Sequence, residues 1–323
     1  MIAYFDCFSG AAGDMLLGAL LDAGCPLEDL RAGLATLGVS GYDISLQRVQ
    51  QHGITGSKFD VIDLAGERPV RNLSLIREIL GKADLPEGVA EQSLRVFTRL
   101  GEAEARIHGV DVDQVHFHEV GAIDALVDIV GTCLVLHNLG IEAVYSSALP
   151  LGSGTIRTEH GFLPVPAPAT LALIADVGAP TLPLEARGEL VTPTGAALLT
   201  TLAVFERPAM RVQRVGYGFG SKTFPWPNMV RVWIGEAISG DMRRPGQTPA
   251  HAPHPEPAGD HTHSHGGETH SHSHGSAGEA HEHPHTHAGG HEHAHDHEAG
   301  HQHTHSHADE HRDEDADARC TNG

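Results

Sequence analysis

After about residue 238 the chain loses the means to fold as a globule, and this break constrains everything else. Residues 251–323 carry 21 of the 27 histidines and almost no large apolar side chain, so little buried surface can offset the entropy of ordering. The segment 239–323 is therefore read as a disordered tail. It also holds 14 Asp/Glu against two Arg between 251 and 323, which is −12 of the −21 formal charge. Folding falls to residues 1–238, enough for one large domain or two subdomains with real cores. That body is acidic too, with 27 Asp/Glu and 17 Lys/Arg. Such a balance argues against nucleic acid, whose binding depends on cations neutralising phosphates. No run of about 18 apolar residues occurs, so no membrane span is expected. The start, Met1–Gly10, places Asp6 where a secretory signal would be positive, and Cys7, Cys25, Cys133 and Cys320 show no paired spacing. Both features predict a reduced, cytoplasmic protein with free thiols.

Within the body, Ile2–Phe8 reads as a buried strand, Ser9–Asp14 as a glycine-bearing turn and Met15–Ala23 as an apolar helix. A helix over Pro26–Leu37 and an antiparallel pair, Tyr42–Val49 with Lys58–Leu64, come next. Helices are predicted at 73–81, 86–107, Ala122–Leu139, Ala169–Val177 and from Thr192 to about Phe205. Strands are predicted at Val115–Val120, Ile141–Leu149, Gly154–Thr158, Met210–Val215 and Met229–Ile234, with a glycine turn at Gly216, Gly218 and Gly220. The alternation predicts an α/β or α+β fold, a mixed sheet with covering helices, without fixing the strand order.

Chemistry-bearing residues crowd into His116-Phe-His118-Glu119-Val-Gly-Ala-Ile-Asp124-Ala-Leu-Val-Asp128. On a strand His116 and His118 share a face, and on the next helix Asp124 and Asp128, four apart, share another. Two imidazoles and two or three carboxylates at one strand-to-helix edge suit Ni, Zn, Fe or Mn. The plainer alternative has the aspartates complementing a helix N-terminus and the histidines packing. A second candidate is Asp6…Ser9-Gly10…Gly13-Asp14, whose glycines can admit an anion to backbone amides, or whose two aspartates can hold a cation; a capped Asx turn explains it equally. A third is Thr192-Pro-Thr194-Gly195, good helix-start chemistry and also a possible phosphate cradle, with Arg157 and His160 able to add charge. Other motifs fail on spacing. Gly216–Thr223 lacks the glycine that a Walker A places directly before its lysine, and Gly152–Arg157 lacks the third glycine of a dinucleotide fingerprint. The tail's His-x-His repeats bind divalent ions without choosing among nickel, zinc and copper.

Several segments together resemble the family of nickel-insertion proteins that complete the lactate racemase cofactor (LarC). They are Phe5–Leu16, Val115–Gly131, Pro150–Gly154, His160–Thr170, Thr192–Gly195 and Gly216–Gly218. The resemblance implies insertion of Ni²⁺ into pyridinium-3,5-bisthiocarboxylic acid mononucleotide, linked to CTP with Mg²⁺ or Mn²⁺, by a chelatase-type lyase. It also implies roles. His116, His118, Asp124 and Asp128 would hold nickel, with Asp6 and Asp14 completing the shell or binding the nucleotide's cation. His118 or Glu119 would serve as base. Thr192, Thr194, Arg157 and His160 would take the substrate phosphate, beside the Ser9, Gly10 and Gly13 turn. Long members continue into a nucleotide-carrying domain, so a separate chain supplying it, or a partial product, is expected here, with the apo-racemase as a further partner. Two other classes compete: a nickel storage or delivery protein working through its tail, and a metal-dependent hydrolase using the same cluster with bound water.

Overall fold

The computed structural model describes residues 1–64, 71–115, 123–158, 161–238, 261–265, 268–272, 283–286 and 292–295. Contacts divide the chain into two units, Met1–Thr248 and Pro249–Gly323. Within the second, strands His261–His265 and Glu268–His272 pair antiparallel, as do His283–Thr286 and Glu292–His295. The rest of the tail lies outside the described residues.

The first unit is built on a mixed seven-stranded sheet. Its strands are β1 (Ile2–Asp6), β2 (Tyr42–Gln51), β3 (Ile54–Asp63), β4 (Ala143–Ser146), β9 (Ala203–Val204), β10 (Met210–Phe219) and β11 (Met229–Ala237), in the order β2-β3-β10-β11-β1-β4-β9. Between β4 and β9 in the chain lie two small pairs. β5 (Leu149–Ser153) runs parallel to β8 (Thr181–Arg187), and β6 (Thr155–Thr158) antiparallel to β7 (Gly161–Pro164). The helices are α1 (Gly13–Asp22), α2 (Leu27–Ala35), α3 (Leu73–Lys82), α4 (Val89–His108), α5 (Ile123–Asn138), α6 (Pro168–Val177) and α7 (Pro193–Leu202). The expected α/β architecture, a mixed sheet with covering helices, is what forms. No helix of the described residues is long and apolar enough to cross a membrane.

β1 shows why the sheet is two-faced. Side chains alternate along a strand, so Ala3 and Phe5 join the large helix-covered core while Ile2 and Tyr4 join a small cluster with Ala143 and Tyr145 on the other face. There Tyr4 meets Trp233 edge-on at 5.1 Å, and the Arg207 guanidinium sits 4.7 Å from the Trp233 ring. The predicted β2–β3 pair forms with a two-residue turn at His52-Gly53, both at positive φ, the geometry that suits the twist of a hairpin.

Two readings of the sequence need correction, and one strand went unread. The glycine turn expected at Gly216 and Gly218 is strand: both lie inside β10, and a Cβ at either would overlap helix α1, at the Ala19 and Met15 carbonyl oxygens. Glycine here lets helix backbone lie directly on strand backbone, which mimics a turn signal in sequence. The single strand expected over Ile141–Leu149 is broken into β4 and β5. β8 was invisible because it shows no buried-exposed alternation and carries Pro183. The strand expected over Val115–Val120 falls on residues 116–120, outside those described; Val115 itself is buried and not in a strand.

Candidate functional site

Two loops bring two helix starts together. Gly10, at φ +136°, lies against Leu190, where a Cβ would overlap the carbonyl oxygen. The amide of Ala11 donates to the Leu190 carbonyl at 2.9 Å, and the amide of Thr192 donates to the Ala11 carbonyl at 3.0 Å. This lacing sets the N-terminus of α1 beside that of α7. The latter is capped by Thr192, whose Oγ1 accepts from the Gly195 amide at 3.1 Å, with Pro193 preset for the first helical turn.

These helix starts open onto a cavity of about 640 Å³, a size suited to a nucleotide-scale ligand. Its wall is shared by Asp14 of α1, Asp60 of β3, Glu104 and His108 at the end of α4, Asp124 and Asp128 of α5, Thr158 of β6, the start of α6, Glu189, and Thr192 and Thr194 of α7. Six carboxylates thus face one space. Lys58 is ion-paired with Asp60, and His108 lies 3.6 Å from Glu104 one turn back along α4. Arg71, itself buried, lies near enough to feel the Asp124 charge.

Asp128 is the deepest of the six. It is 8% exposed, and its carboxyl rests on Gly13 so closely that a Cβ there would fall 2.7 Å from the Asp128 Cβ. The Oδ1 of Asp128 accepts no hydrogen bond among the described residues. Burial, then the Asp14 and Asp124 charges, hold its pKa well above the carboxylate range, against the opposing pull of the Asp14 amide. Asp14 is raised to about 6, chiefly by desolvation; its Oδ1 accepts from the Met15 amide at 2.8 Å, which partly offsets the rise. The site therefore stores a negative charge that it can hold cheaply only with a proton or another cation. The thiols are not competitors for a metal. Burial pushes Cys7 and Cys133 up to about 12, so both stay protonated and poor ligands.

Against the residues singled out in the sequence, the structure brings Asp14, Asp124, Asp128, Gly13, Thr192 and Thr194 to this one cavity. Others stand apart. Asp6 is bound by Arg231, whose Nε donates to its Oδ2 at 3.0 Å. Ser9 is buried, accepting from Trp226 Nε1 at 3.0 Å and facing Asn228 Oδ1 at 3.4 Å. Gly10 serves the loop packing described above. Arg157 is exposed on β6 between Ile156 and Thr158, the two that line the cavity, so the strand's alternation turns it away. His116, His118, Glu119 and His160 lie outside the described residues. Among the described residues no three His, Cys, Asp or Glu side chains gather closely enough to hold a metal ion by themselves. Sequence reasoning missed Asp60, Glu104, His108, Arg71 and Glu189. Only Glu104 and His108 carried a signal, four apart on one helix face.

No solved structure matches the chain at a significant level. A chain of Thermomicrobium roseum named for nickel insertion is 53% identical over 239 residues, which is 74% of this chain and 59% of that one. A similarly named chain of Roseiflexus castenholzii is 52% identical over 235 residues, 73% of this chain and 59% of its own. The pyridinium-3,5-bisthiocarboxylic acid mononucleotide nickel insertion protein of Desulfitobacterium hafniense (strain DSM 10664 / DCB-2) is 48% identical over 246 residues, covering 76% and 60%. The chain thus spans about three fifths of the length of these curated relatives. The family described as nickel insertion protein matches residues 3–265, and the chain belongs to that family.

Proposed function

We propose that this chain inserts nickel into a pyridinium bisthiocarboxylate mononucleotide, and that the carboxylate-walled cavity is where ion and mononucleotide meet. The observation that carries the reading is the cavity itself: six acidic side chains and the capped start of α7 face one space of nucleotide size, in a chain of the nickel insertion family. The walls draw cations in. The hydroxyls of Thr192 and Thr194 and the positive end of the α7 dipole favour the phosphate. Nickel, the cargo of the reaction, is taken by His116 and His118 with Asp124 at the start of α5, a mixed imidazole and carboxylate set suited to it.

The chemistry asks for little more. As the nickel–carbon bond forms, a ring C–H bond breaks; its electron pair passes to nickel, its proton leaves to a base, and no oxidation state changes. Glu119 or His118 is the base in this reading. Two thiocarboxylate sulfurs complete the pincer. The activity is that of a chelatase-type lyase, CTP-linked through Mg²⁺ or Mn²⁺, in the cytoplasm and for the benefit of lactate racemase. The tail raises the local nickel concentration and chooses no substrate.

In a reconstituted reaction supplied with CTP, nickel and the mononucleotide, His116→Ala and His118→Ala are each expected to abolish product while leaving the tail's nickel binding intact. Mass of the product and nickel content of the chain measure the two separately. Product yield equal to that of the unsubstituted chain overturns these assignments.

A further inference from the structure

The floor of the cavity differs chemically from its walls. Asp128 and Asp14 stand side by side there, and the buried Oδ1 of Asp128 meets no donor among the described residues. A buried carboxylate oxygen without a partner is costly, and a native structure retains one where function needs it. Lys58, the cation whose charge reaches Asp14, is paired with Asp60. The Met15 amide donates to Asp14 Oδ1 at 2.8 Å, and Asp14 and Asp128 both line the cavity.

We propose that Asp14 and Asp128 hold a hydrated hard divalent cation, of the Mg²⁺ or Mn²⁺ class, on the cavity floor and separate from the nickel cargo. The donor set is carboxylate oxygen alone, which suits hard cations; burial raises the pKa of the body's described thiols, Cys7, Cys25 and Cys133. Mg²⁺-type ions keep several waters and bind through one or two carboxylates, with phosphate oxygens filling the rest. The open positions of such an ion face the same space as Thr192 and Thr194. Its further role, bridging the floor to the mononucleotide's phosphate, rests on the function proposed above; the ion site itself does not.

The test is titration of the full chain with Mn²⁺, followed by the electron paramagnetic resonance signal of free Mn²⁺, with no nickel and no nucleotide present. The unsubstituted chain is compared with Asp128→Asn and Asp14→Asn. Ions taken by the tail are common to all three and cancel in the difference. One equivalent, displaced by excess Mg²⁺, is expected in the unsubstituted chain and weakened at least about tenfold in either variant. Mn²⁺ is also expected to raise the melting temperature of the unsubstituted chain and not that of Asp128→Asn. Equal Mn²⁺ binding by all three chains, with equal thermal response, overturns the proposal. Should Asp128→Asn fail to fold, Asp14→Asn, at a partly exposed helix start, carries the comparison. Because neither nickel nor mononucleotide is present, a negative result here leaves the insertion reading intact, and failure of the histidine variants leaves this site intact.

Discussion

Replacing Asp128 by asparagine is expected to stabilise the metal-free chain at pH 8 by about 1–2 kcal/mol, the usual size of the gain when a strained functional group is removed. The cause is the burial of a carboxylate, 8% exposed, beside Asp14 and Asp124. The sign follows from linkage. Asp14 and Asp128 both have folded pKa values raised above the unfolded ones, so the folded state binds protons more tightly. Their contribution to stability is fully present below the unfolded carboxylate range, near about pH 4. It is lost as pH rises through the folded values, about 6 for Asp14. Asparagine resembles the protonated acid at every pH. The variant and the unsubstituted chain should thus be alike below about pH 4 and diverge as pH rises above it, because the folded pKa of Asp128 is raised. Denaturant unfolding in chelator, at several pH values, measures the difference. A variant less stable than the unsubstituted chain at pH 8 would show that the buried carboxylate is structural.

A loss in the opposite direction is expected at Gly218. Alanine there would drive its Cβ into the Met15 carbonyl and to 2.5 Å from the Ala19 amide nitrogen. The obstacle is helix backbone, which cannot rotate away as a side chain would. Overpacking of this kind costs about 3 kcal/mol, at the upper end of its usual range. For a body of this size the melting temperature should fall by roughly 6–12 °C. The damage should also reach the cavity, because α1 carries Asp14 at its first turn and lies on β10 along its length. Calorimetry of Gly218→Ala checks this; an unchanged melting temperature would mean that α1 does not lie on β10.

The elements were legible where local pattern and tertiary setting agreed. The first strand, the helices at α3, α4, α5 and α6, and the β2–β3 pair are written in apolar periodicity, and the Thr-Pro start of α7 in capping chemistry. They were illegible where tertiary contact decided. Gly216 and Gly218 look like turn residues, yet they are strand because a helix needs their missing side chains. β8 has no alternation because it pairs on an exposed ribbon away from the main sheet.

The site was legible in half. Asp124 and Asp128 could be placed together from their spacing, and Asp14 from its position at a helix start. Nothing in the order of residues placed Asp14 beside Asp128, because that neighbourhood depends on Gly13 letting α5 close on α1. Asp60 and Glu189 reach the cavity from a strand and a loop whose local sequence carries no chemical pattern. Asp6 went the other way: it sits in a suggestive motif and is spent on an ion pair with Arg231 across neighbouring strands.

Equilibrium binding of the mononucleotide to the full chain tests the proposal that the carboxylate-walled cavity receives it. Thr194, on the wall at the start of α7, is the residue to change. Thr194→Trp would fill part of the 640 Å³ without touching the core behind it. Saturable binding of pyridinium-3,5-bisthiocarboxylic acid mononucleotide is expected for the unsubstituted chain, measured by calorimetry, with a loss of at least about tenfold in Thr194→Trp. Equal binding by both chains would contradict it.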